Sequence, residues 1–130
     1  MTLRQQIVTI VQLPERLDGR KGTVFYRDLT RYMSIDHPLF VFDCRALYEL
    51  DRAGVYFLLC CLEEAMKRNG DIKLSDLDFA ARASLAAVEA DRIFEIFQTV
   101  ADAVASYGRA GHMTCLHDFN GEAQPRENAA

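Results

Sequence analysis

Three short segments constrain this chain more than anything else in it. Residues 7–13 (IVTIVQL), 39–44 (LFVFDC) and 72–77 (IKLSDL) are dense in apolar residues, and stretches with helical spacing separate them. The middle segment is apolar at almost every position, the pattern of a strand buried on both faces of a parallel sheet. Parallel strands need long crossovers, and the helix-length spacers supply them. The expected class is α/β, with a mostly parallel sheet, right-handed crossovers and functional loops beyond the carboxyl ends of the strands.

The spacers carry their own punctuation. Pro14 stops the first strand, and residues 17–23 (LDGRKGT), with two glycines, predict a loop. Thr23 is placed to cap a helix whose apolar positions Phe25, Leu29, Tyr32 and Met33 recur at three and four, and Asp36-His37-Pro38 closes it. In the second spacer Asp51 is an N-cap for a helix to about Arg68, with Asn69-Gly70 as its stop and Glu63–Lys67 and Glu64–Arg68 as outer-face pairs. Asp78 caps an alanine-rich helix to about Ala90. Beyond it Ile93, Phe97, Val100, Val104 and Tyr107 keep helical spacing, while IFEIF alternates like a strand. Periodicity alone leaves both open. Residues 108–130 hold three of the seven glycines and no sustained period, and are expected to form a C-terminal tail, mobile from Asn120 onward, after a domain at 1–107.

Composition removes several function classes. Half of the 130 residues are hydrophobic and 26% are charged, as in an ordinary globular domain. A net charge of −4, with no basic stretch denser than residues 16–21, disfavours nucleic acid as a partner. The opening MTLRQQIVTI lacks a signal-peptide pattern, and the longest apolar run, residues 55–62, is far short of a bilayer span. The expectation is a cytoplasmic chain with no membrane insertion and reduced thiols at Cys44, Cys60, Cys61 and Cys115. Cys60 and Cys61 diverge by about 100° on a helix and suit core filling better than ligation.

Motifs for chemistry are few. His112, Cys115, His117 and Asp118 have ligand types, but a structural zinc site wants about four ligands in paired clusters, and the second cluster is missing. There is no Gly-rich phosphate loop, no G-x-S-x-G and no H-E-x-x-H. Asp18, Asp43 and Asp51 could gather at one sheet end like a phosphoryl-transfer receiver, yet the paired acids and later lysine of that pattern are absent. Neither catalysis nor a cofactor or metal is expected.

The order of segments resembles the STAS domain, the fold of bacterial anti-sigma-factor antagonists. The residues that carry the resemblance are the turn Pro14-Glu15-Arg16-Leu17-Asp18, a strand ending VFD at Asp43, the loop Asp51-Arg52-Ala53-Gly54 opening a helix, and RNGDIKL before the next strand. It spans about residues 5–107 and implies a sheet of four to five mostly parallel strands with about four helices. It also implies a short strand at residues 94–98 and a last helix at 100–107.

Family antagonists carry D-[ST]-[ST]-G at this loop, and the second hydroxyl residue is phosphorylated by an anti-sigma kinase. Here Arg52 and Ala53 stand at the two hydroxyl positions, and no Ser or Thr lies between Asp36 and Gly70. The resemblance therefore implies a protein-binding module without the usual switch, docking an anti-sigma factor of the histidine-kinase-like ATPase type through Asp51, Arg52, Ala53 and Gly54. Arg45, Tyr48 and Glu49 would rim that surface. A cytosolic subunit of a lipid-transporting ABC system and a self-assembling signalling scaffold are alternatives, the latter using Val100, Val104 and Tyr107 either for homo-oligomer contact or as core. Read without the family, Asp51 is an N-cap and Gly54 a residue that lets the helix start pass close to a neighbour.

Overall fold

The computed structural model describes residues 7–33, 37–108 and 111–116. The three apolar segments are strands: β1 (Val8–Gln12), then β3 (Leu39–Asp43) after the two-residue β2 (Arg16–Leu17), then β5 (Asp71–Ser75) after the two-residue β4 (Glu49–Leu50). Between and after them run α1 (Gly19–Thr30), α2 (Arg52–Lys67), α3 (Phe79–Ala87), β6 (Ile96–Phe97), α4 (Val100–Ser106) and β7 (Gly111–Leu116). The main sheet has the order β6-β5-β3-β1-β7, and every pairing in it is parallel. β3 pairs residue for residue with both neighbours, from Val8↔Leu39↔Asp71 to Gln12↔Asp43↔Ser75.

Alternation along the strands then sorts side chains into two layers. Phe40, Phe42, Ile72 and Leu74 join the larger core with Phe25 and Leu29 of α1, Val55, Leu58 and Leu62 of α2, and Leu85 of α3. Phe25 meets Phe42 edge-on at 5.3 Å. Val8, Ile10 and Val41 pack on the opposite face with Ala103 of α4, and Leu39, Val100, Val104 and Tyr107 fringe that smaller cluster. The apolar side of α4 is thus core. Polar contacts hold α4 there as well. Lys73 of β5, nearly buried, donates to Ser106 Oγ at 2.8 Å, pairs with Glu95 at 2.8 Å and lies 4.3 Å from the Tyr107 ring centre. Tyr107 donates its hydroxyl to Phe40 O at 2.8 Å.

The structure corrects the sequence reading at several points. α1 starts at Gly19, not after Thr23, and its cap is Asp18, whose carboxylate accepts from Lys21 N at 3.0 Å. The two glycines that suggest a loop lie inside the helix, and Thr23 donates to Gly19 O one turn back. Gly22 is there for closeness to α2: a Cβ would sit 2.5 Å from Phe57 Cδ2. Of the outer-face pairs on α2, Glu64–Arg68 forms at 3.0 Å, while Lys67 pairs with Glu64 instead of Glu63. The ambiguous stretch becomes the short β6 and then α4, as the resemblance implies, with Phe94 buried in the larger core. Residues 111–116, assigned to the tail on sequence, form β7. β1 would otherwise be an edge, and its free backbone groups pair with this segment, a bulge shifting the register after Thr9.

Candidate functional site

The residues of interest meet at the carboxyl edge of the sheet, where β1 and β3 run out. Past Pro14 and past Cys44 the two chains continue side by side as the parallel pair β2 and β4, with Arg16↔Glu49 and Leu17↔Leu50 in register. Glu15 O accepts from both Tyr48 N at 2.9 Å and Glu49 N at 3.1 Å, and Leu17 O from Asp51 N at 3.4 Å. Leu17 and Leu50 are buried and fasten this ribbon to the core, while Arg16 and Glu49 form an ion pair on its outer side. Both partners are more than half exposed, so the pair adds little stability.

α2 springs directly from the ribbon. Asp51 has extended backbone (φ −96°, ψ −179°), its carboxylate accepts from Gly54 N at 2.8 Å, and its carbonyl accepts from Val55 N at 3.0 Å. It is an N-cap in full. Arg52 is exposed, Ala53 half-buried and Gly54 buried. A Cβ at Gly54 would run into the Leu17 carbonyl oxygen and come within 3.0 Å of Leu50 Cδ1, so glycine is required by the closeness of β2 to the helix start. The Ala53 methyl lies 3.5 Å from where a side chain at Gly19 would begin. The starts of α1 and α2 are therefore neighbours, with no room between them for a large group at both positions.

Two shallow clefts flank the ribbon. One, of about 540 Å³, is lined by residues 12–16, Lys21, Ala46 and Tyr48. The other, of about 270 Å³, is lined by Arg16, Leu17, Asp18, Glu49 and Asp51. Asp18 and Asp51, from separate helix caps, thus share a cleft. The amide of Lys21 holds the Asp18 carboxyl below its ordinary value, against a smaller opposing effect of desolvation.

Not every expected rim residue is at the loop. Glu49 lies beside it in the ribbon, and Tyr48 is exposed along the larger cleft. Arg45 points elsewhere: its amide donates to Asp43 Oδ1 at 3.0 Å, and its guanidinium lies 3.8 Å from Asp43 and 4.0 Å from Asp76. Asp43, at the end of β3, is thereby occupied by Arg45, whereas the cleft with Asp18 and Asp51 belongs to the ribbon. The sequence misses the ribbon itself, since two-residue strands leave no period. It also misses Leu17 and Gly19 as the neighbours that dictate Gly54 and accommodate Ala53. The signal for them is the turn Pro14-Glu15-Arg16-Leu17-Asp18, whose apolar Leu17 sits alone among charges.

The arrangement presents backbone, charge and aromatic surface. Burial pushes the thiols of Cys44 and Cys61 well up, which keeps both protonated and unreactive. Among the described residues no group of three or more His, Cys, Asp and Glu could hold a metal. The side chains of His112, Cys115, His117 and Asp118 lie outside what the structure describes. No described helix is long and apolar enough to cross a membrane.

Comparison with known proteins agrees with this geometry. The STAS domain family model matches residues 1–103. No curated protein matches the chain. Among solved structures, a STAS domain protein from Planctomyces limnophilus aligns with TM-score 0.68 at 12% identity, over 75% of this chain and 89% of that one. A Thermotoga maritima protein assigned provisionally to the anti-sigma factor antagonists aligns with TM-score 0.66 at 15% identity, over 77% and 88%. The STAS domain of a SulP transporter from Vibrio cholerae aligns with TM-score 0.61 at 13% identity, over 82% and 84%. At these identities the likeness is one of fold.

Proposed function

The chain belongs to the STAS domain family, and from that premise we propose that it is a non-catalytic cytoplasmic binding module that docks an anti-sigma factor through residues 51–54, freeing a sigma factor for transcription. The observation that carries the reading is Ala53. It stands in the first turn of α2, half-buried against the start of α1, where the D-[ST]-[ST]-G pattern places the phosphorylated hydroxyl. A phosphate there would add about −1.5 to −2 charge and considerable bulk in the middle of the docking surface. Alanine cannot accept it. Docking is then constitutive, controlled by the amount of protein or through the partner, a histidine-kinase-like ATPase.

The same loop serves a second reading, a cytosolic subunit bound to the ATPase of a lipid-transporting ABC system. The likeness in fold to the STAS domain of a SulP transporter gives a transport role some support. One experiment separates the two. Wild type and Ala53→Glu, both verified as folded by circular dichroism, are used to capture proteins from native lysate for identification by mass spectrometry. An anti-sigma ATPase retained by wild type and released by the variant is the expected result. An ABC ATPase with the same behaviour replaces the first reading by the second. Identical sets from both baits sink the docking role of the loop.

A further inference from the structure

The chain is acidic overall, with net charge −4, yet the helix starts around this loop are edged with cations. α1 opens with Arg20 and Lys21 and α2 with Arg52, and neither has an acidic residue in its first turn. Arg82 lies one turn into α3. Positive side chains at a helix N-terminus oppose its dipole, so folding alone does not account for them. None of these four forms an ion pair among the described residues, whereas Arg16, Arg45, Lys67, Arg68, Lys73 and Arg92 each sit beside a carboxylate.

Apolar surface accompanies the free cations. Phe79, the first residue of α3, is 88% exposed, and Tyr56 is 61% exposed one turn beyond Arg52 on α2. Arg82 follows Phe79 by three residues and so shares its side of the helix. α3 packs against β4, the strand leading into Asp51, and against α2, and it starts at Phe79 just past the carboxyl end of β5, so Phe79 and Arg82 in its first turn lie toward the sheet edge that carries the loop. Exposed aromatic and arginine side chains in one region are the composition of interface hot spots.

The pattern also selects the kind of partner. Asp18, Asp51 and Asp78 cap the three helices, each tied back to an amide of its own first turn, so every one of these helix starts carries a carboxylate as well as its cations. A uniform polyanion or anionic bilayer would meet those carboxylates as like charges. A folded protein can set its acids between them and offer a pocket to an aromatic ring. Resting on the docking reading above, we propose that the docking surface extends from residues 51–54 to Phe79 and Arg82 and takes a protein face bearing carboxylates around an apolar pocket. Phe79 fills the pocket, and Arg52 and Arg82 meet the carboxylates.

The test uses the full chain, the purified partner that wild type retains and Ala53→Glu releases, and vesicles of phosphatidylcholine with phosphatidylglycerol as a second probe. Binding kinetics are followed across rising sodium chloride for wild type, Arg52→Glu/Arg82→Glu, Phe79→Ala, and Lys67→Glu/Arg92→Glu, which changes net charge equally but away from the loop. Thermal unfolding establishes that each variant folds. The expected results are association slowed about tenfold or more, with a flatter salt dependence, in the first pair. Phe79→Ala should dissociate about tenfold faster, and the control pair should match wild type. Equal association by wild type and Arg52→Glu/Arg82→Glu overturns the inference, yet leaves the docking reading standing if Ala53→Glu still releases the partner. Vesicle binding that this pair abolishes, with no protein retained by wild type, replaces the protein partner by anionic lipid. Retention of nothing by wild type overturns both.

Discussion

α1 and α2 begin in the same way, and the contrast between them explains how this edge of the molecule is built. Each follows a two-residue strand, takes an aspartate as N-cap and bonds it to the amide three residues on, Asp18 to Lys21 and Asp51 to Gly54. Each has a buried glycine near its start, because the two helices and the ribbon crowd together. The glycines differ in what they face. At Gly22 the obstacle is the Phe57 side chain, with Cδ2 at 2.5 Å, Cγ at 2.8 Å and Cβ at 3.1 Å, so turning the ring alone does not clear it and the whole side chain must shift. At Gly54 it is the Leu17 carbonyl, backbone fixed by its own bond from Asp51 N. The first contact yields to a shift of one side chain, while the second requires backbone to move.

The largest expected effect follows from that difference. Gly54→Ala should destabilise by about 3 kcal/mol through overpacking against backbone, read as a lower urea midpoint with unchanged slope. Asp51→Ala comes next, at about 1 kcal/mol for the lost cap, measured the same way. Gly22→Ala should cost about 1 kcal/mol as well, since displacing the Phe57 side chain costs about 2 kcal/mol and the helix propensity of alanine offsets about half of it. A cost for Gly22→Ala equal to that of Gly54→Ala would break the comparison, by making the Phe57 side chain as immovable as the carbonyl.

The smallest effect concerns pH. The Asp18 carboxyl is held below its ordinary value, so the folded state binds that proton less readily than the unfolded chain. Its contribution is complete above the ordinary carboxylate range and is lost as pH falls through the depressed value. Asp18→Asn should therefore flatten the acid end of the stability profile, followed by denaturant unfolding from neutral pH downward. Unchanged steepness would mean that the cap carries no charge-dependent stability.

The two helix starts were not equally legible. Asp51 announces α2 because an unbroken apolar helix follows it, and Asp78 announces α3 similarly. Asp18 is followed by glycine, two basic residues and a second glycine, so local propensity argues for a loop and only the packing of α1 on α2 makes a helix of it. IFEIF was undecidable for the same reason: its strand exists through pairing of Ile96 and Phe97 with Leu74 and Ser75. β7 is a clearer case still, since its partner is the free edge of β1. Arg45 shows the limit in the site, being close to the loop in sequence but drawn toward Asp43 and Asp76 at the end of β3 and beyond β5.

The sequence by itself determined the α/β class, the three long strands, the caps at Asp51 and Asp78, and the absence of a hydroxyl at Ala53. Those follow from composition and local spacing, which a chain carries whatever it touches. The tertiary structure decided why Gly54 must be glycine, what Ala53 packs against, where Arg45 points and which cations stay unpaired among the described residues. Each of these depends on a neighbour brought from another part of the chain, and the Leu17 carbonyl that fixes Gly54 leaves no trace in the residues around residue 54.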